Sequence, residues 1–414
     1  MVNKKLLENI FSLATIKGLQ YILSFITFPY LTHVLQVERF GAVVFAQSIL
    51  QYFTLFTDYG FNLVGPREIA RHDSVAERGK VFANIFFAKV FLLLIATLAG
   101  AVLLQFFSHR YAVDTSLYLI CYLNVIGFVI FPVWFFQGIQ QMRYITMVDV
   151  IGRLISVIGI FWLVKAPEDY LLAAFFQSAV PLVSGCFAWG ILATRYRETL
   201  CLPNCQQMKL ALKAGWEIFV SSVAINLYTA SSVVFLGLLT NNTMVGYYSG
   251  AKKIIDNITQ LFSPVMQGIY PYVSKKVAVS KEEAVAFLRK VTQFMGMGNL
   301  AISIILFLFA DFFVTLLLGP AYHHSVILLR IMAFLPLLIG LSQVFGVQVM
   351  MNFGMQKEFS RILILASVLN LTIICPLIFF VQATGVAVAV TITEFFVTAA
   401  MYRTIKRNGI NLIQ

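Results

Sequence analysis

Charged side chains set into long apolar runs are the residues of this sequence best able to do chemistry. Lys252 and Asp256 stand four residues apart, a spacing that lets them pair on one helix face, and Lys253 beside them is a cation that an anionic substrate could neutralise. Asp149 and Arg153 lie one helical turn apart and are expected to satisfy each other. Lys17, Lys89 and Arg330 also sit among apolar neighbours. Lys89 is deep enough in the run from Phe82 to Phe107 that snorkelling to an interface is plausible but not easy. Together Lys17, Lys89, Arg153, Lys252, Lys253 and Arg330 form a candidate substrate-binding set for an anion. Among the acids, Asp58 is followed by Tyr59-Gly60-Phe61-Asn62 and could titrate or hold a coupling cation, H+ or Na+. Asp256, Glu217 and Glu394 are the other cavity acids.

Covalent chemistry has no comparable candidates. The sequence carries no P-loop lysine motif, no GxSxG and no HExxH. His323-His324 reads as a solvated turn, and Cys201 and Cys205 lack the second pair that a zinc site needs. No cofactor and no metal are expected, and the chain is not expected to be an enzyme.

Membrane helices are the elements that must position these charges. Of the 414 residues 60% are hydrophobic and 12% charged, where soluble domains are about half apolar and about a quarter charged. The net charge of +12 does not point to nucleic acid, because the cations lie between apolar runs and not on one basic face. Crossing the hydrocarbon core takes about 20 residues. Twelve stretches qualify: 9–31, 41–63, 81–107, 115–137, 146–165, 171–194, 214–239, 246–273, 292–318, 325–351, 359–381 and 384–402.

With the N-terminus inside, twenty-one of the 30 Lys and Arg fall in cytoplasmic connections and three, Arg39, Arg110 and Lys165, fall outside. Basic loops stay cytoplasmic, so both termini are expected there. Residues Met1 to Ile10 lack a small-residue cleavage site, and no cleavable signal peptide is expected. No connection is long enough for a folded extramembrane domain, which argues against a soluble catalytic domain and against a ligand-binding ectodomain.

The longest basic connection, about 195–213, divides the helices six and six, as an internal duplication would, giving lobes at 1–200 and 201–414. Phe136-Gln137-Gly138-Ile139-Gln140-Gln141 can be laid over Asn352-Phe353-Gly354-Met355-Gln356-Lys357. The helices that open each half carry polar stripes: Lys17, Gln20, Ser24 and Thr27; Gln47, Gln51, Thr54, Asp58 and Asn62; Glu217, Ser222, Asn226 and Thr229; Ser249, Lys252, Lys253, Asp256, Asn257 and Gln260. Such stripes line a water-filled cleft or glue helices together, and the uncharged members fit either role. Pro29, Gly60, Pro66, Pro132, Pro264, Pro271 and Pro336 mark expected kinks.

Several strings in order resemble one family, the Wzx-type O-antigen flippases of the multidrug/oligosaccharidyl-lipid/polysaccharide exporter superfamily. They are Thr27-Phe28-Pro29-Tyr30-Leu31, Asp58-Tyr59-Gly60-Phe61-Asn62-Leu63, Phe131-Pro132-Val133-Trp134-Phe135-Phe136-Gln137-Gly138, Ile269-Tyr270-Pro271, Gly346-Val347-Gln348-Val349-Met350 and Lys357-Glu358-Phe359-Ser360. The resemblance runs essentially end to end. It implies an all-α fold of two six-helix lobes around a cationic cavity that opens alternately to either side. It further implies translocation of an oligosaccharide repeat unit on undecaprenyl diphosphate across the bacterial inner membrane for lipopolysaccharide synthesis. An O-antigen polymerase and a chain-length regulator are the partners it implies, besides membrane lipid. A diphosphate carries charge that the candidate lysines and arginines could neutralise.

Two rival readings remain at this level. A cation-coupled drug exporter of the same superfamily prefers a cavity rich in carboxylates, whereas lysines outnumber acids in these helices. A membrane-embedded polymerase or glycosyltransferase needs catalytic groups on a sizeable periplasmic loop, which the sequence lacks.

Overall fold

Without water, every backbone N–H and C=O has to find its partner inside the chain, and apolar runs rich in Leu, Ile, Phe and Ala do so as helix. The computed structural model describes the backbone of residues 4–110, 114–196 and 201–412, with the side chains of 4–21, 107–110, 221, 224, 225, 227–229 and 264 outside the description. Among the described residues all regular structure is helical. The chain forms two compact units, Met1–Leu35 with Val43–Val223, and Gln36–Ala42 with Ala224–Gln414. The sequence divides the chain at 200/201. The units divide it at 223/224, inside a helix, and the short stretch 36–42 goes with the second.

The first unit is built from α1 (Lys4–Asp58), α2 (Phe61–Ala70), α3 (Val75–Arg110), α4 (Thr115–Ile130), α5 (Val133–Gly138), α6 (Met142–Leu163), α7 (Tyr170–Ser178), α8 (Val180–Arg195) and most of α9 (Cys205–Thr229). In lipid, helices are held by close packing and not by exclusion of water. Small residues make the approach possible: a methyl on Gly65 would lie 2.7 Å from the Trp134 ring, and one on Gly138 would lie 2.5 Å from Ile69 Cβ. Trp134 so seated stacks on Phe82 with centroids 5.5 Å apart, and Phe135 meets Phe82 edge-on at 5.2 Å. The string Phe131 to Gly138 is thus the aromatic centre of this unit.

The second unit holds α10 (Ser231–Leu239), α11 (Asn242–Leu261), α12 (Ser263–Val279), α13 (Lys281–Leu308), α14 (Ala310–Leu317), α15 (Ser325–Met332), α16 (Leu335–Gln343), a π-helical stretch Val344–Met350, and α17 (Gln356–Arg407). Asn241 caps α11 by accepting from the Met244 amide at 3.0 Å, and Ser280 caps α13 by accepting from Glu283 at 3.2 Å. The π-helical turn buries Val344, Phe345, Val349 and Met350 against Leu288, Met295, Val397 and Met401. Residues 36–42 belong here because Gly41 packs on the first turn of α11, where a methyl would lie 1.9 Å from the Asn242 carbonyl oxygen.

Eight helical stretches among the described residues are long and apolar enough to cross a membrane, where the sequence anticipates twelve. The difference has a physical cause. Ile22–Ala70 and Gln356–Arg407, of 49 and 52 residues, each join two expected helices through a break, at Gln36 (φ 58°) and at Val381–Gln382 (φ 50° at Gln382). The expected span 214–239 is split between α9 and α10 at Ala230, and 246–273 between α11 and α12 at Phe262, with three charges in α11.

A shared turn relates the two halves. The Gln141 amide donates to Phe136 O at 2.8 Å around left-handed Gln140 (φ 58°), and the Met355 amide donates to Met350 O at 2.8 Å around left-handed Gly354 (φ 81°). This six-to-one bond is a helix C-terminal motif. It matches Gln140 to Gly354, two residues away from the register in which the two sequences look most alike. In the structural register Arg143 corresponds to Lys357, and the helix break at Pro132 corresponds to Gly346 in the π-helical stretch.

Candidate substrate and coupling residues

Asp58 ends α1, and the chain then turns through two left-handed residues, Tyr59 (φ 48°) and Gly60 (φ 81°), before α2 begins. Gly60 suits this turn twice over: it adopts the positive φ without strain, and a side chain there would strike Ile218. A carboxylate at a helix C-terminus faces the negative end of the dipole and calls for a cation. That cation is Lys89, on α3, only 2% exposed, with Nζ 3.4 Å from Asp58 Oδ1.

Lys89 also donates to the Phe128 carbonyl at 3.4 Å. In a continuous helix that oxygen would accept from residue 132, but residue 132 is proline and has no N–H. The break in α4 therefore supplies the second acceptor that a buried ammonium needs. Lys89 does not snorkel: it lies inside the unit and ties the ends of two broken helices. One acceptor, Asp58, opens a string that stands out in the sequence, and the other, the Phe128 carbonyl, lies three residues before a second, Phe131 to Gly138. The pairing is invisible to helical spacing because 31 residues separate the partners.

Two further pairs follow local spacing. Arg153 Nε donates to Asp149 Oδ2 at 2.8 Å, and Lys252 donates to Asp256 Oδ1. Lys253, next along α11, is exposed, as is Arg330 at the end of α15 and Glu217 on α9. Glu394 is half-buried on α17. Lys17 lies in α1, but its side chain, like that of Gln20, falls outside the described residues. The candidate charges Asp58, Lys89, Arg153 and Glu217 thus belong to the first unit, and Lys252, Lys253, Asp256, Arg330 and Glu394 to the second.

Among the described residues no group of three His, Cys, Asp or Glu is arranged to hold a metal ion. Uncharged polar groups chiefly close helical backbones. Thr54, Thr292, Thr393 and Thr398 each donate to a carbonyl four residues earlier, and Asn370 Nδ2 reaches Thr393 Oγ1 at 3.1 Å across the kink of α17. The threonine bonds stay within one helix, and the Asn370–Thr393 bond links two helical segments as helix glue does.

Two units of long apolar helices with ionic pairs inside them define a multi-pass membrane protein. Residues 6–277 match the family described as "Polysaccharide biosynthesis protein". The chain is 34% identical over 407 residues, 97% of each chain, to a protein of Escherichia coli (strain K12) described as "Putative O-antigen transporter". It is 28% identical over 400 residues, 96% of this chain and all of the other, to a Shigella dysenteriae protein of the same description. This chain therefore belongs to the polysaccharide biosynthesis protein family. In fold it is similar to "Lipid II flippase MurJ, inward closed conformation", with a TM-score of 0.72 at 13% identity over 95% of this chain and 87% of that one. An inward-facing multidrug resistance MATE transporter of the MOP superfamily gives 0.66 at 13% identity over 95% and 98%.

Proposed function

We propose that this chain moves a lipid-linked oligosaccharide, an O-antigen repeat unit carried on a polyprenyl diphosphate, from the cytoplasmic to the periplasmic leaflet of a bacterial inner membrane. One observation carries the reading: a relative 34% identical across 97% of both chains is described as an O-antigen transporter. Movement across a bilayer breaks no covalent bond of the substrate, so no catalytic residue is required. Both termini are cytoplasmic in this reading, because the basic connections then face inward.

Lys252, Lys253, Arg153, Arg330, Lys17 and Lys89 are the cations we assign to the diphosphate's path, and Asp58, Asp256, Glu217 and Glu394 the acids we assign to coupling by H+ or Na+. Lys89 with Asp58 is the pair best suited to coupling. Protonation or cation binding at Asp58 would weaken its hold on Lys89, and so on the breaks in α1 and α4. The O-antigen polymerase and chain-length regulator would take up the product. Likeness to drug exporters concerns fold alone and adds no support for drug export.

Deleting the gene in its host and resolving lipopolysaccharide on a gel tests this reading. Loss of the O-antigen ladder, restored by the wild-type gene, is the expected result. A ladder unchanged by deletion sinks it.

A further inference from the structure

At one end of the first unit two arginines and a tyrosine share a hydrogen-bond centre that none of the ion pairs uses. Tyr144, in the first turn of α6, is only 8% exposed. Its hydroxyl oxygen accepts from Arg195 Nη1 at 2.6 Å and from Arg143 Nη2 at 3.3 Å. Both guanidinium groups also lie against its ring, with Cζ 5.7 Å and 5.0 Å from the centroid. Neither arginine forms an ion pair with a carboxylate among the described residues. Two like charges are thus held on one oxygen atom, and among the described residues no carboxylate is paired with either.

Three further features add to the positive field. Arg143 stands in the first turn of α6, the positive end of that helix's dipole, where a cation is disfavoured. Gln141, at the N-cap, places no side-chain acceptor on that turn; its carbonyl takes the Tyr144 amide at 3.2 Å, and the amides of Met142 and Arg143 face no side-chain cap. The Tyr144 hydroxyl accepts twice, and its own proton has no acceptor among the described residues. Guanidinium, phenol and helix amide all donate. The chemical group that answers all three is an oxyanion of high charge and several oxygens, which is a phosphate.

Position says which phosphate. Arg143 begins one apolar helix and Arg195 ends another, Met142–Leu163 and Pro167–Arg195, and both side chains are exposed. Helix ends of this kind lie at the depth of lipid head groups, where basic pockets between helices take up acidic ones. We propose that Arg143, Arg195 and Tyr144, with the N-terminal turn of α6, bind the phosphate of a membrane lipid. Two lipids carry the chemistry: an ordinary anionic phospholipid, and an isoprenoid diphosphate. The second source rests on the function proposed above, and the site itself does not.

The test uses the full-length protein in detergent and native mass spectrometry. The probes are phosphatidylglycerol, the diacylglycerol with the same chains, farnesyl diphosphate and inorganic pyrophosphate. Wild type is expected to retain at least one phosphate-bearing lipid about tenfold over diacylglycerol, equivalent to about 1.4 kcal/mol. Arg143→Gln and Arg195→Gln should each lose most of that preference, and Tyr144→Phe part of it. Stronger retention of phosphatidylglycerol assigns the site to bulk lipid. Stronger retention of farnesyl diphosphate, displaced by pyrophosphate, assigns it to the diphosphate head of an isoprenoid carrier.

A purely structural clamp between α6 and α8 would lower the melting temperature of all three variants and leave the phosphate preference intact, and that result overturns the proposal. Should the glutamine variants fail to fold, the double variant Arg143→Lys with Arg195→Lys keeps the charge but loses the forked geometry. Native melting with undiminished preference in that protein also overturns it.

Discussion

The ammonium of Lys89 lies 3.4 Å from the carbonyl oxygen of Phe128, an acceptor that Pro132 deprives of its helical donor. Substrate candidate and structural clasp are therefore the same side chain. Replacing Lys89 by Met leaves Asp58 without its cation and the carbonyl without a donor. A loss of about 3 kcal/mol is expected, because breaking one side of a buried pair strands the other charge. Thermal unfolding of Lys89→Met, Asp58→Asn and the double variant measures the coupling. Strictly additive losses would falsify the pairing.

The Lys252–Asp256 pair separates a structural from a substrate role. Exchanging the two, Lys252→Asp with Asp256→Lys, keeps the ion pair and moves the positive charge one helical turn. The exchanged protein is expected to fold and accumulate normally, yet to leave the O-antigen ladder unrestored in the deletion strain. Full restoration removes Lys252 from the substrate path.

Close helix contacts predict opposite signs for two glycine substitutions. A methyl on Gly246 would lie 2.2 Å from the Val37 carbonyl oxygen, backbone that cannot yield, so Gly246→Ala is expected to cost about 1–3 kcal/mol. Gly298, inside α13, has nothing within 4 Å of that position, and Gly298→Ala should stabilise the helix by about 0.5–1 kcal/mol. Melting temperatures moving in the same direction for both would contradict the packing described.

Burial holds the phenol of Tyr322 well above the usual tyrosine range, and its O–H donates to Gln36 O at 3.2 Å. A group whose proton is held more tightly in the folded state keeps its contribution below its ordinary pKa, about 10, and loses it as the pH rises further. Stability should therefore be flat to about pH 9.5 and fall beyond it. Tyr322→Phe is expected to cost about 1 kcal/mol at neutral pH and to make the alkaline fall shallower. Melting curves between pH 8 and 11 decide; identical alkaline slopes would exclude Tyr322 as the source.

Local spacing made much of this legible from sequence. Asp149–Arg153 and Lys252–Asp256 pair as four-residue spacing on a helix requires, and the break at Val381–Gln382 falls between the expected helices 359–381 and 384–402. Lys89–Asp58 was not legible, because it depends on how α3 packs against the end of α1. The shared turn lies two residues away from the overlay of the two strings for a related reason. Side-chain likeness aligns Gly138 with Gly354, but backbone conformation aligns Gln140 with Gly354, and only the hydrogen bonds reveal it. The π-helical stretch Val344–Met350 contains the string Gly346 to Met350, but nothing in its residue types distinguishes a π-helical turn from an ordinary one.

The packing of Gly41 on Asn242 and Gly246 also sets a clock. A ribosome that has just made residues 36–42 must add about 200 more before their partner exists, which at about 5–20 residues per second takes roughly 10–40 s. For that interval the break in α1 waits at the membrane with its close-packing face uncovered. Insertion of the first helices and completion of the fold are consequently separate events, and the quality of each newly made molecule is decided late, when α11 arrives.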